Sequence, residues 1–360
     1  MDGLGALVRD LAGRHDPHGE DTYLSVYADL DGLHGPALRH RVQEVRAALP
    51  PADRAAFEKA WEEAEAEMQA APAGTPALAV FAAPAHGLRR AVSLAGRVGT
   101  VLVLDSSPYI RPLARFVAAD RPFALVLLDG ERASIHTIVE GVAERAAGVT
   151  TDLIGRHRRG GMSQLRFQRR RRGQADRFLD DVADRLRGVM DEEGLERIVV
   201  AGPGDAKTRL LARLPPPMRD RVEAVEAADL EDEGIMARMV ALGRAAVRED
   251  DEAALATLRA EVRRGGLAVT GSFATVRAVR DGRVEALFVE KDRHAGGAKC
   301  EAHQSYFEKD GACDACGASG NEVDLIEEAV EHALRTDAAT AFLDDPFLHE
   351  VGGVAALLRW

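Results

Sequence analysis

The chain has 360 residues, 46% of them hydrophobic, a formal net charge of −12 and a mean hydropathy of −0.18. That length predicts two or three domains of about 100 to 150 residues, and the composition excludes a disordered polymer. The longest apolar runs, 78–83 and 123–128, are strand-sized and far short of the roughly 20 residues that span a bilayer.

Residues 1–21 mix acids, His and Arg with no continuous apolar stretch, so no secretory leader is readable and a cytoplasmic address is expected. Residues 23–27 predict a strand. From 35 to about 70, Leu38, Val42, Val45, Leu49 and Phe57 recur at helical spacing, broken by Pro50 and Pro51. Residues 78–83 and 88–94 flank a Pro84-Ala85-His86-Gly87 turn and predict a hairpin; 101–104 add a short strand. This first domain, 1–119, reads as α+β.

A middle α/β domain is expected over 120–248. The run 123–128 is a buried strand ending in an Asp129-Gly130 turn, with 133–139 as its hairpin partner. The stretch 155–161 is polar, rich in Gly and Arg and without apolar periodicity, hence an exposed loop. Residues 165–190 predict one long helix with Phe178, Val182, Leu186 and Val189 on its inner face. A strand over 197–201 leads through Gly202-Pro203-Gly204 to a short helix over 205–214. Lys207 near that turn lacks the spacing of a phosphate loop, which leaves a helix-start turn. The acidic run 229–233 is expected as a solvated face, before a helix over 235–247.

The third domain, 249–360, predicts a helix over 255–263, a turn at 269–271, a helix over 275–281 and a buried strand over 284–289. A Cys/His insert fills about 294–320, and a helix follows over 323–335. His332 and His349 read as ordinary helix or surface residues.

Two constellations carry chemistry. Between Asp152 and Asp176 stand eight arginines (Arg156, Arg158, Arg159, Arg166, Arg169, Arg170, Arg171 and Arg172) and no acid, so a basic finger interrupts an acidic chain. Within it, Gly160 and Gly161 permit backbone conformations closed to other residues, and the flanking guanidiniums can neutralise phosphates without reading sequence. Gln164 offers an amide acceptor and two donors to a water, but no titratable group for general-base work. Local chemistry alone favours a basic, flexible surface loop with Ser163 capping the helix. His157 and Asp152 beside it read as solvated or phosphate-contacting residues.

The second constellation is Cys300-x2-His303-x9-Cys313-x2-Cys316, which holds every cysteine of the chain. Two close pairs of N and S ligands suit a closed, structural tetrahedral zinc, with turns at Gly311-Ala312 and Gly317-Ala318 folding the second pair round the ion. The alternative is three thiols and an incidental His.

The segment Arg158-Arg159-Gly160-Gly161-Met162-Ser163-Gln164-Leu165-Arg166-Phe167 resembles the catalytic loop of archaeal and eukaryotic class I peptide-chain release factors. There a Gly-Gly-Gln tip precedes Ser and Leu-Arg-Phe. Here Met162 stands where that Gln would be, and the Gly161-x-x-Gln164 pattern looks like the ribosome-quality-control branch of the superfamily. Residues 123–136, 200–207 and 353–360 are similar to other parts of the middle and third domains in the same order. The resemblance implies a three-domain, release-factor-like chain whose third domain is a ribosomal-protein-like α/β/α sandwich with a zinc-binding insert. It implies binding in the A site of the large ribosomal subunit, with peptidyl-tRNA and ribosomal RNA as partners, and peptidyl-tRNA hydrolysis. By it, Gly160, Gly161, Ser163 and Gln164 act at the ester while the arginines hold RNA phosphates; a translational GTPase is a further partner. Neither DNA nor a membrane is expected. Decoding members carry Asn-Ile-Lys-Ser in the first domain, whereas the only Asn here is Asn321, so stop-codon reading by that motif is excluded. A non-catalytic A-site-binding dormancy or protection factor is the alternative.

Overall fold

The computed structural model describes every residue except 1–2, 17–21, 31–35, 95, 140–141 and 151–162, with backbone alone at 36, 52, 142 and 163–171. Contacts gather these residues into two compact units, Ala119–Glu252 and a unit that combines Met1–Ala118 with Ala253–Trp360. The fold is mixed α/β. Among the described residues no helix is long and apolar enough to cross a membrane.

The first segment runs α1 (Leu4–Ala12), β1 (Tyr23–Asp29), α2 (Pro36–Ala48), α3 (Pro51–Gln69), β2 (Ala77–Ala83), β3 (Leu88–Leu94), β4 (Val101–Asp105) and α4 (Arg111–Ala119). Its strands form an antiparallel sheet in the order β3-β2-β1-β4. The Pro pair ends one helix and starts the next because Pro51 lacks an N–H that the first helical turn would leave unbonded anyway. Alternation then sorts β1: Leu24 and Val26 pack with α2 and α3, while Tyr23 and Tyr27 face the cluster that contains α1 and α4. Neither α1 nor α4 was anticipated. Leu4, Val8 and Leu11 had the spacing of a helical stripe, but over only nine residues.

The middle unit runs β5 (Phe123–Leu128), β6 (Arg132–Val139), β7 (Val142–Thr150), α5 (Ser163–Glu193), β8 (Ile198–Ala201), α6 (Ala206–Leu211), α7 (Pro216–Arg219), β9 (Val222–Glu226) and α8 (Ile235–Arg264), the last continuing beyond the unit. The sheet order is β7-β6-β5-β8-β9, with β5, β8 and β9 parallel and the other pairs antiparallel. Ala124, Val126 and Leu128 meet α5 and α6 on one face; Phe123, Leu125 and Leu127 meet α8 on the other. The expected helices over 235–247 and 255–263 are one helix. The intervening Arg248-Glu249-Asp250-Asp251-Glu252 contains neither Gly nor Pro to stop it, and Asp250 and Asp251 are held by Arg197 at 3.2 Å and Arg121 at 2.6 Å.

The last segment runs β10 (Ala268–Thr270), α9 (Ser272–Arg280), β11 (Val284–Glu290), β12 (Gly296–Cys300), β13 (Ser305–Phe307), β14 (Asn321–Asp324), α10 (Leu325–Arg335), β15 (Ala339–Leu343), α11 (Pro346–Glu350) and β16 (Val354–Leu358). One sheet, β10-β16-β11-β15, lies between α9 and α10 on one face and α11 with the end of α8 on the other. The insert forms its own sheet, β13-β12-β14. Val269 and Thr270, expected in a turn, pair with Ala356 and Ala355 of β16. That partner lies some 85 residues downstream, out of reach of any local pattern.

Candidate functional site

Described elements bracket the basic segment on both sides. Strand β7 ends at Thr150 and α5 begins at Ser163, so Arg156, Arg158, Arg159, Gly160, Gly161 and Met162, as well as Asp152 and His157, lie outside the described residues. Ser163, Gln164, Arg166 and Arg169 to Arg171 are placed on the first turns of α5 by backbone, and the Arg172 side chain is exposed. Phe178 is the first buried residue among the described side chains of this helix. From there Val182, Leu186 and Val189 pack onto the sheet. Where the apolar face begins, a polar clamp closes. Arg213 donates to Asp176 Oδ1 at 2.6 Å and to Asp180 Oδ1 at 2.5 Å, and Arg209 donates to Asp176 at 3.2 Å, tying α5 to the α6 region.

The C-terminal ends of the central strands are equally fixed. Asp129 Oδ1 accepts from the backbone N–H groups of Glu131 and Arg132, both at 2.7 Å, which closes the β5–β6 turn. At the end of β8, a Cβ on Gly202 would overlap the Leu128 carbonyl, so only glycine lets the turn approach β5 this closely. Lys207 Nζ donates to the carbonyls of Gly202 at 2.9 Å and Gly204 at 2.8 Å. Its charge is spent on the turn itself, consistent with a helix start.

The four side chains of the Cys/His pattern do meet. One ligand atom from each of Cys300, His303, Cys313 and Cys316 lies within 4.8 Å of the others, an arrangement that could hold a metal ion. Cys300 ends β12 and His303 sits in the turn before β13, where Cys300 pairs in register with Ser305. The second pair sits on a knuckle in which Cys313 N–H donates to Ala318 O at 2.9 Å and Gly317 N–H to Cys313 O at 2.7 Å. Gly317 has a positive φ of 70°. Ser305 was missed: its hydroxyl stands 3.3 Å from Cys313 Sγ and is the leading cause that lowers this thiol to about 6. The clue was its place two residues beyond His303.

Behind the knuckle lies a buried polar chain that also escaped the sequence. His332, expected on an ordinary or surface position, is 8% exposed. Tyr306 O–H donates to Glu328 Oε2 at 2.6 Å, so His332 Nε2 carries the proton that it shares with Tyr306 at 2.7 Å, leaving Nδ1 to accept from Arg335. Lys299, next to Cys300, pairs with Glu328 at 3.2 Å. Burial, reinforced by Arg335 and Lys299, lowers the His332 pKa to about 3. Beside this chain, Arg111 joins the first segment to the last, meeting Asp324 at 2.8 Å and Glu327 at 3.3 Å. Glu327 also accepts from the N–H groups of Ile110 at 2.8 Å and Arg111 at 3.1 Å, yet burial pushes its carboxyl up to about 7.

One further trio invites misreading. Asp16 Oδ2 and Thr22 Oγ1 lie 3.0 Å and 2.9 Å from the same nitrogen, His86 Nε2. A catalytic relay needs opposite ring nitrogens for acid and nucleophile, so this trio is a structural tie.

Comparison with known proteins bears on the middle unit first. The model of bacterial archaeo-eukaryotic release factor family 10 matches residues 108–249. Peptide chain release factor subunit 1 of Archaeoglobus fulgidus is 24% identical over 283 residues, covering 71% of this chain and 70% of that protein. Residues 108–249 thus match an archaeo-eukaryotic release-factor family, and the similarity to release factor subunit 1 extends over 71% of the chain. The counterpart from Methanopyrus kandleri is 27% identical over 135 residues, 36% of this chain and only 33% of the relative's length. The solved archaeal translation termination factor aRF1 shares 18% identity over 99% of this chain and 97% of its own, with a TM-score of 0.29. Within this superfamily match fall the long helix, its clamp and the segment 151–162.

Proposed function

We propose that this chain is a ribosome-associated peptidyl-tRNA hydrolase of rescue or quality control that does not read stop codons. The observation that carries the reading is the run Gly160-Gly161-Met162-Ser163-Gln164 between paired arginines and Leu165-Arg166-Phe167, at the head of a 31-residue helix rooted in a packed sheet. Relatives named peptide chain release factor subunit 1 support it. In this reading the middle unit extends the tip into the peptidyl transferase centre. Gln164 and the backbone near Gly161 orient a water against the ester, with Ser163 beside them. Arg156, Arg158, Arg159, Arg166 and Arg169 to Arg172 hold ribosomal RNA phosphates. A glutamine cannot take the proton as an efficient base, so the chain contributes positioning, while RNA and tRNA contribute electrostatics. The first domain has no Asn-Ile-Lys-Ser, in keeping with entry independent of a stop codon. The work is cytoplasmic, and a translational GTPase is a candidate for delivery.

Met162 at the usual Gln position favours a second reading, an A-site-binding dormancy factor that shields the centre without cleaving. Release of labelled peptide from stalled ribosomes and isolated large subunits separates the two. Release lost in Gln164→Ala and Gly161→Ala, with co-sedimentation intact, supports the hydrolase. Tight binding with no release by the wild type identifies the shield.

We further propose structural zinc at Cys300, His303, Cys313 and Cys316. Tetrahedral zinc with Zn–S near 2.3 Å and Zn–N near 2.1 Å sets S···S edges of about 3.8 Å and S···N edges of about 3.6 Å. Cys300 and Cys316 sulfurs stand 3.8 Å apart, and His303 Nδ1 lies 3.6 Å from both Cys300 and Cys313 sulfurs. Four protein ligands leave no open position, so the ion would brace the insert rather than activate water. Elemental analysis should find one zinc per chain, lost in Cys313→Ser; absence of zinc alongside fully reduced thiols rejects the site.

A further inference from the structure

Among the described residues, strand β4 is hydrogen-bonded on one side only, to β1, from Tyr23 opposite Asp105 to Tyr27 opposite Val101. Its other edge borders a cavity of about 420 Å³ that reaches across to α10. Six carboxylates line this cavity, those of Asp105, Asp292, Asp324, Glu327, Glu328 and Glu331, against a single arginine, Arg41.

Most of these carboxylates are already matched by a cation. Asp324 and Glu327 meet Arg111, Glu328 meets Lys299, and Asp292 meets Arg115. Glu331 differs. It is 5% exposed, Ser107 Oγ donates to its Oε1 at 2.7 Å, and among the described residues no Arg, Lys or His forms an ion pair with it. Burial, then the charges of Glu328 and Glu327, hold its carboxyl well above the ordinary range. Lys299 offsets this only in part, so ionising Glu331 on the cavity wall is costly unless a further cation arrives.

An unpaired strand edge and an only partly offset carboxylate on one cavity ask for two different things of a ligand: backbone N–H and C=O groups in extended array, and a positive side chain. We propose that the groove takes an extended basic peptide segment of a partner protein, added beside β4 as a fifth strand, with a lysine or arginine reaching Glu331. RNA is disfavoured because its phosphates would face the carboxylates. A free polyamine would satisfy Glu331 but leave the strand edge unused. The five residues of β4 offer an edge of about 17 Å, enough for a short segment and hence a weak, transient contact. This inference does not rest on the hydrolase reading and survives its failure.

Fluorescence anisotropy of the full chain with a fluorescein-labelled octapeptide alternating Arg and Val tests it. Saturable binding is expected, weakened about tenfold or more by Glu331→Gln, the variant first checked for an unchanged melting transition. Two ligand-side changes leave the protein untouched: citrulline in place of Arg, and N-methylation of alternate backbone nitrogens with the charges kept. Each should abolish binding. No saturable binding by the wild type, equal affinity for a folded Glu331→Gln chain, undiminished binding of the N-methylated peptide, or displacement of the peptide by equimolar spermidine would overturn the proposal.

Discussion

Two helices of this molecule are rich in charge and use it in opposite ways. At its head α5 carries Arg166 and Arg169 to Arg172, and its described side chains enter the core only from Phe178 onward. In α10, by contrast, Leu325 to Ala333 are all buried, Glu327, Glu328, Glu331 and His332 included. The first helix holds a like-charge cluster that helps folding little and suits an anionic partner. The second turns its charges inward, where nearly every one is answered by Arg111, Lys299, Tyr306, Ser107 or Arg335. Charge count therefore says little; what decides its role is whether partners from distant segments surround it.

That contrast can be broken from either side. Arg111→Ala leaves Glu327 and Asp324 without their buried cation and should cost about 3–5 kcal/mol of unfolding free energy in urea titration. A loss below about 1 kcal/mol would mean that the acids simply neutralise. Leu186→Ala, in the rooted part of α5, should cost about 2–5 kcal/mol through the cavity it leaves.

A pH series sharpens the inward half. His332 titrates near 3 in the folded chain and near 6.5 unfolded, so below pH 6.5 the unfolded state binds a proton that the native state refuses. Wild-type stability from this group is complete above 6.5 and falls as pH drops toward 3, by up to about 1.4 kcal/mol per unit. His332→Gln can still donate to Tyr306 and accept from Arg335 but does not titrate. The stability gap between wild type and variant should therefore narrow on acidification; a constant gap refutes a neutral, buried imidazole. The smallest effect belongs to the outward half. Arg172→Ala should change stability by no more than about 0.5 kcal/mol, yet lower the salt dependence of the proposed ribosome binding by about 0.7–0.9 in log–log slope if it holds one phosphate.

Local pattern carried the strands 123–128, 78–83 and 88–94, the break at Pro50-Pro51 and the inner face of α5, because each is written in residues a few positions apart. The Cys/His spacing likewise brought four ligands to one place, since two short turns and one hairpin suffice to assemble them. Tertiary structure alone decided the rest. Strand β10 exists because β16 lies beside it, α8 is continuous because Arg121 and Arg197 hold its acidic middle, and His332 is buried because β13 and α10 close over it. Nor could spacing reveal that Arg111 and Glu327, more than 200 residues apart, would share one buried ion pair. Short-range periodicity is fixed by the geometry of a helix or a strand, whereas the partner of a buried charge is fixed only when distant segments pack, and no single stretch of sequence contains both.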